Sequence, residues 1–343
     1  MLEEKDFTEI RKELEDCTRP LFLYHDDPDG LSSFLLLYRY SKEGKGIVVK
    51  RRPVIDETFV KNVEEYGADK VFIVDIAIVE QEFLDKVNIP VIWIDHHTPL
   101  KRHKVRYYNP RINKKDDNIP ASYLCYRVVK QDLWIAMVGM AGDWYVSEYA
   151  KAFSKKYPEI LPEGIDKPQD VLFKTNLGKL ARVFSFILKG QTQDAYKCAK
   201  ILTRVESPEE LLEEKTPATK FMMKKYRKLN EQYEDLLKDA VSKVSNESVI
   251  VYTYPSSKMS FTGDLSNELL SKYNDKVIII AREKSGEMKA SLRSPASINL
   301  QPIIKKALEG IEGYGGGHEH AGGVNIKDKD WDDFVDSIKE QVK

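Results

Sequence analysis

The apolar run at residues 21–24 ends in His25-Asp26-Asp27-Pro28-Asp29-Gly30, which places a histidine and three aspartates within five positions. Carboxylates this close repel one another, and removing one from water without a partner carries a heavy penalty or drives its pKa upward. A bound divalent cation relieves both. Three further sites put an acid or an imidazole after an apolar run: Asp75 closing VFIVDIA, Asp95-His96-His97 in WIDHHTP, and Asp143 in GMAGDW. Carboxylate oxygen and imidazole nitrogen together suit hard to borderline cations, and this donor set favours two Mn2+ ions, or Mg2+ or Co2+, over one Zn2+. Two such ions sharing a carboxylate form the arrangement that cleaves phosphate esters in line. Each site also has a plainer reading. Asp75 alone reads as a helix cap, and Asp143 after Gly142 as a turn residue. Their joint occurrence at the ends of apolar runs is hard to reach by capping alone.

The elements that must position these residues show in the same half of the chain. Residues 21–24, 47–50, 71–76 and 91–94 read as short buried strands, and 32–42 and 56–66 between them have helical spacing. Strands alternating with helices predict a doubly wound parallel α/β sheet, in which ligands bind outside the carboxyl ends of the strands. The acids fall there. Residues 121–205 are mostly helical in pattern, with a proline-rich surface excursion at 155–168. Residues 216–244 begin with Thr and Pro in cap and first-turn positions and run on without a breaker, predicting a connector helix of roughly 40 Å. Strands are expected again at 249–254, 277–281, 288–293 and 323–326, with helices at 262–273 and 297–310, as a smaller α+β unit.

Composition bounds the function classes. At 343 residues, two domains are the default expectation. The first twenty residues are charged throughout and no apolar window is long enough to span a bilayer, so a cytoplasmic protein without membrane contact is expected. Cys17, Cys125 and Cys198 form no CxxC pair, which argues against a zinc ribbon or a disulfide framework. With 54 basic and 55 acidic residues the net charge is −1, so any nucleic-acid binding must come from a local basic surface. One candidate is residues 100–115, LKRHKVRYYNPRINKK, with seven Lys or Arg, no acid and two tyrosines. Basic residues interleaved with aromatics suit a single strand through phosphate neutralisation and base stacking.

HDDPDGLSS, VDIA, DHH and GDW, in that order, resemble the four motifs of the DHH phosphoesterase superfamily. YGGGHEHAGG at 314–323, with KASLRSP at 289–295, is similar to the DHHA1 substrate-binding domain of one branch. That branch holds the RecJ exonucleases, archaeal RecJ-like nucleases among them, the nanoRNases that also dephosphorylate 3′-phosphoadenosine 5′-phosphate, and cyclic-dinucleotide phosphodiesterases. The resemblance implies a DHH catalytic domain over 1–150, a helical segment and connector over 151–245, and a DHHA1 domain with a mixed sheet over 246–343. Carried over by position, Asp27, Asp29, Asp75, His96 and Asp143 look like the metal ligands, with Asp75 bridging. His97 looks like a substrate-side residue near the scissile phosphate, and Asp95 is expected to orient His96. His25 is a further candidate ligand, although some family members carry that histidine four residues before the first Asp, where this chain has Leu23. Asp26 is expected to face water.

In the second lobe, Gly315, Gly316 and Gly317 read as a loop whose backbone N–H groups form an anion nest, followed by His318. With Ser291 and Arg293 they resemble the pocket that holds a nucleotide phosphate. The resemblance implies a Mn2+-dependent exonuclease on single-stranded DNA or RNA, working beside a helicase or replication factor, with homo-oligomers left open. The alternatives are a nanoRNase or pAp phosphatase on very short oligonucleotides, and a non-catalytic replication-complex scaffold.

Overall fold

The computed structural model describes residues 2–50, 54–256 and 259–342. It divides into two units, Met1–Tyr226 and Arg227–Lys343. The first unit opens with α1 (Glu4–Glu15), β1 (Pro20–His25), α2 (Pro28–Ser41), β2 (Lys45–Val49), β3 (Val54–Ile55), α3 (Val60–Tyr66), β4 (Lys70–Val74), β5 (Ile78–Val79), α4 (Gln81–Lys86), β6 (Val91–Ile94) and β7 (Arg106–Tyr108). Helices follow: α5 (Ala121–Val129), α6 (Leu133–Gly142), α7 (Ala150–Lys156), α8 (Pro168–Lys174), α9 (Asn176–Leu188), α10 (Thr192–Leu202), α11 (Pro208–Leu212) and α12 (Pro217–Ser242).

Five of these strands form one parallel sheet in the order β2-β1-β4-β6-β7, the predicted α/β architecture. Side chains alternate across it. Leu21, Leu23, Val71, Ile73, Val91 and Trp93 pack with Val63 of α3 and Phe83 and Leu84 of α4. Phe22 and Tyr24 turn the other way, where Phe34 of α2 stacks on Tyr24 at 4.5 Å and meets Phe22 edge-on at 5.7 Å. Burial on both faces is why the strands read as continuous apolar runs. From β1 the chain goes to β2 on one side while β4, β6 and β7 lie on the other, so the carboxyl ends of β1 and β4 flank the topological switch point.

The strand β7 corrects the reading of residues 100–115. Tyr107 stacks on Trp93 with centroids 3.8 Å apart, and Tyr108 is buried. Arg106 pairs with Glu13, Lys104 with Asp85 at 3.2 Å, and Arg102 Nε donates to Val79 O at 2.6 Å. The rings are spent on the sheet edge, so this stretch is no stacking platform for bases. A short parallel pair, β3 with β5, has no counterpart among the expected strands.

Thr216 caps α12 through Thr219 N–H at 3.2 Å with Pro217 in the first turn, and the helix runs 26 residues, about 39 Å. The second unit continues with β8 (Val249–Pro255), α13 (Thr262–Lys272), β9 (Val277–Lys284), β10 (Glu287–Arg293), α14 (Leu300–Ala307), β11 (Gly313–Gly317), β12 (Ala321–Lys327) and α15 (Trp331–Gln341). Its sheet has the order β11-β12-β10-β9-β8, with β8 and β9 parallel and the other pairs antiparallel, so it is mixed as expected. Leu300, Ile304, Phe334 and Ile338 close one face over Val277, Ile279, Leu292 and Ile326. No helix among the described residues is long and apolar enough to cross a membrane.

Candidate metal centre

β1 ends at His25 and the chain turns at once into α2, whose N-cap is Asp27. Asp27 Oδ1 accepts from Gly30 N–H at 2.9 Å, and Oδ2 is left 2.7 Å from His25 Nδ1. The turn is this tight because residue 30 is glycine: a Cβ there would lie 2.6 Å from His25 O. Asp29 caps a different helix. Its carboxylate accepts from Ala121 N–H at 2.8 Å and Ser122 N–H at 2.9 Å, serving the first turn of α5 where the N-cap is Pro120.

Asp75, just past β4, is 1% exposed and has φ +56°, left-handed backbone that costs a residue with a side chain about 1 kcal/mol. Its Oδ1 lies 3.3 Å from His96 Nε2 and its Oδ2 3.4 Å from His25 Nδ1. Asp143, the C-cap of α6, brings Oδ2 to 3.2 Å from His96 Nε2. Three donor groups result, His25-Asp27-Asp75, Asp29-His96-Asp143 and Asp75-His96-His97, the donor atoms of each lying within 4.8 Å of one another. Asp75 and His96 each belong to two groups, so the donors form one joined cluster at the switch point. Asp26 belongs to none of them; its Oδ1 is 3.6 Å from His25 Nε2.

The cluster fits divalent cations. His25 Nδ1 and Asp75 Oδ2 are buried without a hydrogen-bond partner, so the 2.7 Å approach of His25 to Asp27 lacks hydrogen-bond alignment, as for two ligands turned to one ion. Burial, then the neighbouring charge of Asp75, raises Asp27 above the ordinary carboxylate range and pushes Asp29 up to about 7. Burial and the charge of Asp29 raise Asp143 well above it. Asp75 moves the opposite way: burial would raise it, but the close imidazoles of His25 and His96 hold it low. Both imidazoles are raised well above their usual value, the adjacent carboxylates outweighing burial. Four carboxylates here cannot all ionise at little cost without added positive charge. Asp27 and Asp143 keep 33% and 25% of their side chains exposed, so the cluster is open to a ligand on that side.

Asp95 does not orient His96. Its Oδ1 lies 2.7 Å from His97 Nδ1, and Oδ2 accepts from His97 N–H at 3.2 Å, Tyr107 O–H at 3.1 Å and Asn109 Nδ2 at 3.1 Å. Successive side chains leave an extended backbone on opposite sides, so His96 reaches the acids of β4 and α6 while His97 folds back on Asp95. Burial opposes protonation of His97, but the hydrogen bond and charge of Asp95 raise its pKa. Tyr107 and the fully buried Asn109 are supports that the sequence reading missed; only their place after the DHH motif could have pointed to them.

A DHH family N-terminal domain model matches residues 21–165, and a DHHA1 domain model matches residues 246–343. The chain carries a DHH domain and a DHHA1 domain. No curated protein matches it significantly. Among solved structures, exonuclease RecJ bound to manganese is similar over 99% of this chain and 94% of that one, with a TM-score of 0.63 at 16% identity. RecJ from Thermus thermophilus in complex with Mn2+ is similar over 99% of this chain, with a TM-score of 0.63 at 15% identity, and the chain spans 54% of it. A pGpG-specific phosphodiesterase from Vibrio cholerae is similar over 95% of this chain and 99% of that one, with a TM-score of 0.52 at 12% identity. These likenesses establish the DHH phosphoesterase fold.

In the DHHA1 domain, Ser291 Oγ donates to Thr262 Oγ1 at 3.0 Å, and Arg293 donates through Nε to Asn267 Oδ1 at 2.6 Å and through Nη1 to Leu292 O at 2.8 Å. Both residues therefore sit at the first turns of α13. Burial lowers the Arg293 pKa, with the charge of Asp264 opposing. The glycine run is not a loop nest. It is β11, an edge strand paired with β12, and extended backbone sends successive N–H groups in opposite directions where a nest needs them convergent. Glycine still matters there. Gly317 has φ +152°, and a Cβ on it would lie 2.2 Å from Ala321 O. Gly316 pairs with Gly323, and Gly323 with Ser291, a row with little side chain on the face that carries Arg293. Gly315 is the neighbour on the opposite face, and His318, past the strand, is exposed.

Proposed function

We propose that this DHH–DHHA1 protein is a metal-dependent phosphodiesterase that removes nucleoside monophosphates from the ends of single-stranded DNA or RNA. The observation that carries the reading is the joined donor cluster sharing Asp75 and His96 at the switch point. Asp27, Asp29, Asp75, His96 and Asp143, with His25 added, would hold two divalent ions, and Mn2+ matches the donor set. Bound there, such ions supply Lewis-acid polarisation of the phosphate and a lowered pKa for the attacking water. Asp95 holds His97 through Nδ1, which leaves Nε2 to donate to a phosphate oxygen as charge builds on it. Arg293 and Ser291, beside the first turn of α13, offer donors for a terminal phosphate, Arg as a planar fork. The likeness to Mn2+-bound RecJ supports this choice of metal and substrate. A helicase or replication factor as working partner belongs to the same reading.

A second reading, hydrolysis of di- to pentanucleotides or of pAp, gains from the stacking of Tyr107 on Trp93 and the burial of Tyr108, which remove one long-strand surface. The likeness to a pGpG phosphodiesterase supports it too. Labelled DNA and RNA of two to twenty nucleotides, each end blocked in turn, would be digested with Mn2+ and with EDTA. Processive loss of the twenty-nucleotide strand supports the exonuclease. Rapid hydrolysis of dinucleotides and pAp with the long strand intact overturns it in favour of the second reading, and no Mn2+-dependent hydrolysis of any of them overturns both.

A further inference from the structure

A groove of about 500 Å3 lies between α10 and the first turns of α12, lined by Ile201, Val205 and Ala218 and edged by Phe221, which is 51% exposed. Lys197 and Lys200, at i and i+3 on one side of α10, also line it, with Arg204 in the turn just past that helix. None of the three has an ion-pair partner among the described residues. The acid that lines the groove, Glu210, spends Oε2 on the Glu206 N–H at 2.8 Å. On the other flank of α10, Tyr196, 47% exposed, shares a second cavity of about 230 Å3 with Lys200 and Lys45. Of the three aromatic side chains exposed to this degree among the described residues, two therefore flank the same unpaired cations.

We propose that this surface is a second track for single-stranded nucleic acid, phosphates lying on Lys197, Lys200 and Arg204 and bases stacking on Phe221 and Tyr196. Exposed rings beside unpaired cations are what a strand bound without sequence preference requires. An acidic amphipathic peptide helix would use the apolar floor and the cations, but not a ring on the far flank of α10. The Arg204 end of the track is also remote from the metal centre. α2 starts at the Asp27 cap, and past its 14 residues, about 21 Å, its C-cap Lys42 lines a cavity with Thr203 and Arg204. A long strand reaches from one to the other; a dinucleotide does not. The inference rests on the nuclease reading for its biological sense, but binding tests it separately from cleavage.

The test uses the full chain and a fluorescent twenty-nucleotide DNA strand in EDTA, with affinity followed by anisotropy as salt is varied. A Lys197→Gln, Lys200→Gln, Arg204→Gln triple variant should bind at least tenfold more weakly at low salt, and the slope of log affinity against log salt should fall by about 2. A Tyr196→Ala, Phe221→Ala double variant should weaken binding with the slope unchanged. Both should cleave a dinucleotide with Mn2+ within twofold of wild type. Unchanged strand affinity and slope in the triple variant overturn the track. So does loss of an acidic Leu/Glu peptide in that variant while the strand stays bound, which would make the groove a protein-docking site. The slope change in a protein that cleaves nothing would support the track while defeating the nuclease reading.

Discussion

Asp69 and Asp75 stand at opposite ends of β4. Asp69, at the amino end, accepts from Thr18 N–H and Oγ1, both at 2.7 Å, from Arg19 N–H at 2.9 Å and from Cys17 Sγ at 2.8 Å. These donors outweigh burial and hold its pKa below the usual carboxylate range. It ties β4 to the turn before β1 and has nothing left to offer a ligand. Asp75, at the carboxyl end, is buried in left-handed backbone, with Oδ2 lacking any hydrogen bond and its neighbours being imidazoles and acids. The same residue type is a stitch where the chain satisfies it and, in the reading proposed above, a metal ligand where it does not. The direction of a parallel sheet decides which end is which.

The largest effect that would sharpen this contrast is on the unsatisfied side. Asp75→Asn, which keeps shape and tolerates the left-handed conformation, should lower Mn2+-dependent phosphodiester hydrolysis by about 10²–10³-fold while leaving the urea midpoint of the metal-free protein unchanged or higher. Retained activity in steady-state assays would break the assignment. Next comes Asp95→Ala. If Asp95 holds His97, kcat should fall by about 10–100-fold with Mn2+ affinity nearly unchanged; a matching loss of Mn2+ affinity would mean that it serves a metal ligand after all.

Much of this site is legible in the sequence because the strands that carry it are apolar on both faces and end abruptly in charge, as in 71–76 and 91–94. The rest is hidden for local reasons. β7 is three residues of Arg and Tyr, and Tyr107 turns inward because the Trp93 ring stacks on it, which no periodicity records. β11 has too few side chains to alternate, so a strand of glycines looks like a loop. In Asp95-His96-His97 spacing cannot say which imidazole folds back, because that depends on where β7 and α6 bring their partners. His25 is marginal in the sequence because its fitness as a ligand rests on a turn that Gly30 alone makes tight enough.

On the satisfied side the effects are smaller. Asp69→Asn should cost about 1 kcal/mol at pH 7, less than hydrogen bonds to a charged group usually contribute, since the site is solvent-accessible. The sign follows from the lowered pKa: the stabilisation is complete above about pH 4 and is lost as pH falls toward the native value, so the gap in urea midpoint between wild type and variant should close in acid. A gap independent of pH would remove the charge from the explanation. Tyr107→Phe should do least, removing one donor to Asp95 at a cost below about 1 kcal/mol, seen as a change in kcat of a few-fold at most.

The central claim is that the carboxyl end of β4 is a divalent-cation site. Counting bound Mn2+ by electron paramagnetic resonance, in wild type and Asp75→Asn titrated side by side, tests it most directly. The account predicts about two tightly bound ions per chain in the wild type and a loss of at least one, with weakened affinity for the other, in the variant. Equal stoichiometry and affinity in the two proteins would contradict it.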